Sequence, residues 1–343
     1  MGRKPTGRPT SFDIAYAAGV SQPTVSRALR GDRSVSEQTR QKIQQIARDL
    51  NYTVDKNASS LRSQRSNTIA LLFFEDPTPD ESMINPFFLA MLGSITRACA
   101  DRGLDLLISF QRMEDEWHVK YQDSHRADGL VLLGYGDYTT YKPKLDKLAA
   151  QGTHYARWGS VSLDTSGATV GTDNVDAGRQ VGEHLLGLGR KHIVFLGEAD
   201  ETCPEFLGRY SGLSRAMEDA GLVAPRRFDA ITTEQSGYAA ARGMLESGCE
   251  CDAIFAASDL IAIGAMRALA EAGRSVPGDM AVVGFDDIPA ASLTTPPLTT
   301  VIQDVRGAGE TLVDALLAQI DERDAPPRKL PGKLIVRGST QRG

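Results

Sequence analysis

Apolar residues recur at helical spacing in three short stretches at the start of the chain. Ile14, Ala15 and Ala18 share one face of a first helix that Thr10 caps, with Asp13 three residues on as the acidic half of a capping box. Gly19 ends that helix. Ser21 is the natural N-cap of a second helix from about Gln22 to Leu29, with Val25, Ala28 and Leu29 on its buried side. Pro23 falls in the first turn of this helix, where its missing N–H has no intrahelical partner to lose. After a polar loop from Arg30 to Ser34, Ser36 caps a third helix in which Ile43, Ile46, Ala47 and Leu50 line up. Residues 1–52 thus read as a three-helix head. Residues 53–66 are too polar and too few to fold alone and read as a linker.

From residue 68 the pattern changes to apolar runs of strand length separated by helical stretches. The runs are Ile69 to Phe74, Leu104 to Phe110, Gly129 to Gly134 and His154 to Trp158, then His192 to Gly197, Phe228 to Thr232, Ala253 to Ala257 and Ala281 to Phe285. A last strand is expected at Lys333 to Arg337. Such alternation predicts an α/β fold, with helices on both faces of doubly wound parallel sheets. The length of 67–343 suits two of them. Ligands of such sheets bind beyond the carboxyl ends of the strands, so polar residues just after strands are the ones to inspect.

Composition adds exclusions. The chain is 41% hydrophobic and 24% charged, with no run near the roughly 18 apolar residues of a membrane span. Its first residues, MGRKPTGRPTSF, lack the apolar core of a signal peptide, which makes the cytoplasm the expected compartment. Cys99, Cys203, Cys249 and Cys251 form no C-x-x-C pair, and the five histidines show no metal-ligand spacing, so reduced thiols and neither metal nor cofactor are expected. No phosphate-binding G-x-x-x-x-G-K-[ST] or nucleophile G-x-S-x-G stretch is present, which argues against an enzyme.

Charge adds a direction. Residues 1–65 hold 12 Lys and Arg against 5 Asp and Glu, a balance of +7, while the remainder carries 26 against 39, or −13. A basic head on an acidic body suits a phosphate-binding module. Helix, glycine turn, helix is the arrangement whose second helix presents its N-terminal side chains to base edges in the major groove. Gln22, Pro23 and Arg27 are the candidate base readers: Gln pairs with adenine, Arg with guanine, and Pro offers apolar contact to a thymine methyl. Ser21, Thr24 and Ser26 are hydroxyl donors suited to phosphates, and Thr10, Arg30 and Tyr52 join them as positioning residues.

The runs Asp13 to Ser21 (DIAYAAGVS), Thr24 to Arg27 (TVSR), Val35-Ser36, Thr39-Arg40 and Leu50 to Tyr52 (LNY) resemble the DNA-binding head of the LacI/GalR family of bacterial transcriptional repressors. The resemblance continues through Ala127 to Gly129, Asp173-Asn174 with Gly178, Arg209 with Gly212, Asp259 with Gly264, Val282 to Asp287 and Pro297 to Thr300. Arg30-Gly31 departs from it, because the family often has asparagine there.

The resemblance implies a body similar to periplasmic sugar-binding proteins, its two subdomains joined by three crossovers around a ligand. The expected division is about 67–172 with 303–322, and 173–302 with 323–343. It also implies that the linker forms a hinge helix on operator DNA, with Leu61 matching a leucine that wedges into the minor groove and Ala58 the small residue beside the partner helix. Carried over residue by residue, the effector pocket holds Arg209 and Asp286, with Ser258 and Asp259 between them. Ser258 stands where the family commonly has asparagine. From the other subdomain, Asn85, Phe87, Tyr135 and Trp158 are candidates for stacking and further hydrogen bonds, Trp158 as the aromatic platform.

The expected protein is a sequence-specific, double-stranded DNA-binding regulator, most simply a repressor answering to a sugar or glycoside. The alternative is the same architecture answering to a purine or other non-sugar metabolite. A transport binding protein would share the body but not the basic head. A pseudo-palindromic operator calls for a two-fold dimer, and with no heptad tail after the last strand a homodimer rather than a tetramer is expected.

Overall fold

The computed structural model describes residues 9–29, 31–52, 65–74, 84–112, 114–134, 136–161 and 167–341. The chain divides into two compact units at Ser66 and Asn67.

In the first unit, α1 (Ser11–Ala18), α2 (Gln22–Leu29) and α3 (Glu37–Asp49) pack around Ile14, Val25, Ala28 and Ile43, none of which reaches solvent. The start of α1 is fixed by a reciprocal capping box: the Thr10 N–H and hydroxyl both donate to Asp13 Oδ2, at 2.8 and 2.7 Å, while the Asp13 N–H faces Thr10 Oγ1 at 3.4 Å. These bonds favour the ionised carboxylate and hold Asp13 below its ordinary range. Gly19 closes α1 at φ 68°, a left-handed conformation that costs glycine nothing. Ser36 caps α3 by accepting from the Thr39 N–H at 3.3 Å.

The second unit contains two parallel sheets. The first is built from β1 (Thr68–Phe73), β2 (Asp105–Phe110), β3 (Gly129–Leu133), β4 (Tyr155–Trp158), β5 (Ala168–Thr172) and β11 (Arg328–Leu330), in the order β11-β5-β4-β3-β1-β2. The second comprises β6 (Ile193–Leu196), β7 (Arg226–Phe228), β8 (Ala253–Ala256) and β9 (Ala281–Val283), in the order β7-β6-β8-β9. A two-stranded antiparallel ribbon, β10 (Thr300–Gln303) with β12 (Gly332–Ile335), borders the second sheet through bridges from Val283 to Thr299 and from Asp286 to Ile302. The central strands are buried along their whole length, as helix-covered parallel strands must be. Covering helices are α4 (Pro86–Asp101), α5 (Tyr138–Ala150), α6 (Asn174–Gly187), α7 (Pro204–Asp219), α8 (Glu234–Glu246), α9 (Asp259–Glu271) and α10 (Val305–Ile320).

The chain passes between the two sheets at β5 to α6, at β10 to α10 and at β11 to β12. This corrects one boundary expected from sequence: 323–343 is not all in the second subdomain, because Arg328–Leu330 pairs with β5 of the first sheet. The strand expected over Phe228 to Thr232 lies instead at Arg226–Phe228. It is an edge strand whose polar arginines gave no apolar signal.

Two helix pairs approach at backbone distance. A Cβ on Gly178 of α6 would sit 2.1 Å from the Arg209 carbonyl oxygen, and one on Gly212 of α7 would sit 2.0 Å from that of Val175. Gly237 and Gly264 serve α8 and α9 in the same way. Among the described residues no helix is long and apolar enough to cross a membrane.

Candidate DNA-reading head and effector site

On α2, Pro23 and Arg27 are exposed while Val25 and Ala28 face the core, so the helix offers one edge to a ligand. Ser21 and Thr24 share a hydroxyl hydrogen bond of 2.8 Å at its start. Ser26 is half-buried. Gln22, also half-buried, donates from Nε2 to Ser11 Oγ at 3.2 Å. Thr10, expected as a positioning contact, has its hydroxyl donated to Asp13 and serves as the cap of α1. Tyr52 packs against the head core, and its N–H donates to Ala47 O at 2.8 Å. Arg30, Ala58 and Leu61 lie outside the described residues. Sequence reading passed over Phe12, which is 71% exposed at the start of α1. An aromatic residue on the polar side of an otherwise regular amphipathic pattern was the signal.

In the body, a cavity of about 490 Å³ lies against the crossovers. Phe87, Ile302 and Val305 form apolar walls; Asp286, Gln303 and Lys333 bring polar groups. Asp286 follows β9 at φ 109°, an unfavourable conformation for a residue with a side chain, and its N–H donates to Val301 O at 2.9 Å. Its Oδ1 accepts from Gln303 Nε2 at 2.6 Å, and Gln303 Oε1 accepts from Thr172 Oγ1 at 2.5 Å. This relay joins the ends of β5 and β10, two of the three crossover points, to the carboxylate on the cavity wall. Gln303 and Thr172 were not singled out from sequence; no local motif marks a pair 131 residues apart.

Arg209 stands apart from that cavity. It is 1% exposed, donates from Nε to Asn174 Oδ1 at 2.9 Å and from Nη1 to the Ala257 carbonyl, and lies 3.6 Å from the centre of the Phe285 ring. It therefore buttresses the strand end that carries Asp286.

Four other residues expected at the ligand are engaged within the protein. Ser258 is the N-cap of α9, its Oγ accepting from the Ile261 N–H. Asp259 is fully buried, with Oδ1 accepting from Thr300 Oγ1 at 2.6 Å and Oδ2 from the Ile288 N–H at 2.8 Å. Burial, and then the charge of Asp286, raise its carboxyl pKa well above the ordinary value. Asn85 caps α4 through the Phe87 N–H at 2.9 Å. Trp158 is 4% exposed and packs within the core on Phe87, with ring centres 5.9 Å apart. Tyr135 lies outside the described residues.

A basic three-helix head with an exposed second helix, and a body of two parallel sheets exchanging the chain three times around a cavity, define a one-chain regulator that binds DNA and a small ligand. Residues 12–55 match bacterial regulatory proteins of the lacI family, and 183–340 match the periplasmic binding protein-like domain. The ribose operon repressor of Escherichia coli (strain K12) is 30% identical over 330 residues, which cover 94% of this chain and 96% of that protein. Among solved structures, the lac repressor dimer bound to operator and the anti-inducer ONPF superimposes with a TM-score of 0.81 at 26% identity, covering 97% of this chain and 99% of that one. The complex of the transcriptional regulator CelR with cellobiose gives 0.71 at 29% identity, covering 97% and 100%. The chain belongs to the LacI family of bacterial regulatory proteins. It is a ligand-modulated, DNA-binding transcriptional regulator.

Proposed function

We propose that the protein is a cytoplasmic, non-enzymatic repressor that binds a pseudo-palindromic operator as a homodimer and responds to a neutral sugar or glycoside held beside Asp286. The observation that carries this reading is the cavity at the crossovers, with its hydrogen-bond relay from Asp286 through Gln303 to Thr172. A carboxylate accepts from sugar hydroxyls with strong, directional bonds, and the Phe87, Ile302 and Val305 walls suit the C–H face of a pyranose. A ligand pulling on Asp286 acts on the places where the chain crosses from one sheet to the other. Relatives support the ligand class: CelR is solved with cellobiose, and another relative represses a ribose operon.

Ligand and operator are then reciprocally coupled. A hundredfold change in operator affinity requires about 2.7 kcal/mol of differential ligand binding between the two body states. The experiment is a thermal-shift screen of sugars, glycosides and purines on the full-length chain, followed by operator binding with and without the hit. Asp286→Ala should lose the thermal shift while keeping operator binding. Arg27→Ala should weaken cognate binding about 5- to 150-fold and leave random DNA nearly unaffected. Retained ligand affinity in the first variant, or equal loss on random DNA in the second, refutes the corresponding assignment.

A further inference from the structure

Two hydrogen bonds from main-chain N–H groups cross the cleft between the subdomains. Tyr138 is the first residue of α5, so its N–H has no partner within that helix; it donates instead to Thr202 O of the second subdomain at 2.9 Å. Ser160, just beyond β4, donates its N–H to Glu205 Oε1 at 2.6 Å. Both acceptors lie on one short stretch. Asp200 braces it by accepting from the Thr202 N–H and hydroxyl at 2.9 and 2.5 Å, and Glu205 stands in the first turn of α7.

Arg157 joins the two donors. It is 4% exposed, its guanidinium lies 5.1 Å from the centre of the Tyr138 ring, and Nη2 donates to the Ser160 carbonyl at 3.0 Å. Nε holds it from behind through Thr169 Oγ1 at 3.2 Å. The same guanidinium faces the carboxylate opposite, because a Cβ on Gly159 would lie 2.5 Å from Arg157 Nη1 and 3.1 Å from Glu205 Oε1. A main-chain N–H can only donate, and a carbonyl or an ionised carboxylate only accept, so the direction of each crossing bond is fixed. Parting the subdomains breaks both bonds and takes the carboxylate away from the positive charge it faces.

We propose that Arg157 is a positioning residue that sets Tyr138 and Ser160 as the two arms of one latch. The latch closes on Thr202 and Glu205, holds the ligand-free body shut and breaks as a unit when the subdomains part. Its bearing on DNA rests on the reading that the arrangement of the body sets operator affinity, and the experiment separates the two.

Hydrogen exchange is read at single amides on ligand-free, full-length protein. In Glu205→Ala, Ser160 should exchange about 10- to 150-fold faster, as loss of a bond to a charged acceptor implies, and so should Tyr138, whose own bond is untouched. Amides of β3 and β6 should keep their wild-type rates. Glu205→Gln, which retains an acceptor oxygen, should restore part of the protection at both positions, and Arg157→Met, which keeps the stem and removes the fork, should release the same two amides. The latch is refuted if Tyr138 stays protected in Glu205→Ala or Arg157→Met, or if Glu205→Gln exchanges as fast as Glu205→Ala. Loss of protection spreading over β3 and β6 in Glu205→Ala would refute it too, since the role would then be one of fold stability. Operator affinity of ligand-free Glu205→Ala should shift about 5- to 150-fold. Both amides released with operator affinity unchanged would instead refute the coupling of the body to the operator.

Discussion

Gly212→Ala places a methyl group where α6 and α7 leave no room for one. The new Cβ would lie 2.0 Å from the Val175 carbonyl oxygen and 2.7 Å from the Arg179 nitrogen, both backbone atoms that cannot rotate aside. Ordinary contact begins near 3.4 Å, so the helices must part by about 1.4 Å, and overpacking of this kind costs about 1 to 3 kcal/mol. At about 2–4 °C per kcal/mol for a domain of this size, the body should melt about 2–12 °C lower. Arg209 sits one turn earlier on the same helix, so its stack on Phe285 moves with it. The control is the same substitution at Gly243, an exposed position inside α8 where an added Cβ meets nothing within 4 Å. There, alanine only relieves the entropic cost of glycine and should stabilise by about 0.5–1 kcal/mol, raising the melting temperature about 1–4 °C. Scanning calorimetry on the full-length variants reads both. A Gly212→Ala protein that melts at or above wild type, or two shifts of the same sign, would refute the close-packing account.

Two further outcomes follow from buried titratable groups. The raised pKa of Asp259 means that the stability tied to this group is complete below its ordinary 3.8 and drains as pH rises toward the folded value. Asp286→Asn removes the charge that contributes to the shift, so its melting temperature should decline less than that of wild type from about pH 4 to about pH 7; identical slopes would contradict the coupling. Burial raises Cys99 to about 11 and both Cys203 and Cys251 to about 12. Native protein at about pH 8 should therefore titrate well below four thiols per chain with a thiol reagent and reach four only after unfolding; fast reaction of all four would place these cysteines at the surface.

How much of this could be read in advance varied with the range of the interactions. The head was readable almost to the residue, because its signals are local: Thr10 with Asp13, Gly19 and Ser36 each act within one helical turn. Most central strands were readable because burial on both faces makes them continuously apolar; β5 was not, because Thr169, Gly171 and Thr172 break its apolar run. The edge strands β7 and β11 were not, since Arg226, Arg227, Arg328 and Lys329 leave them polar. Asp286 and Phe87, both expected near a ligand, line the cavity, whereas Gln303 and Thr172 carried no local signal, because they come together only where the ends of β10 and β5 meet. Asp259 and Ser258 were expected at the ligand from the family resemblance. Their side chains instead turn inward to hold the Ile288 loop and the first turn of α9.

The three crossings between the sheets also set a timetable for synthesis. β5 ends at Thr172, but its outer neighbour β11 begins only at Arg328, and α10, which packs against β3, β4 and β5, begins only at Val305. About 155 residues must be translated in between, which at roughly 5–20 residues per second takes about 8–31 s. Throughout that interval the sheet made first carries an open parallel edge, and until Val305–Ile320 is made part of one face lacks its helix, an arrangement prone to pair with another chain. A ribosome that stalls or terminates before residue 330 would therefore release an aggregation-prone fragment rather than a working half of the body, and codon usage across 173–327 would bear on soluble yield as much as any substitution in the finished fold.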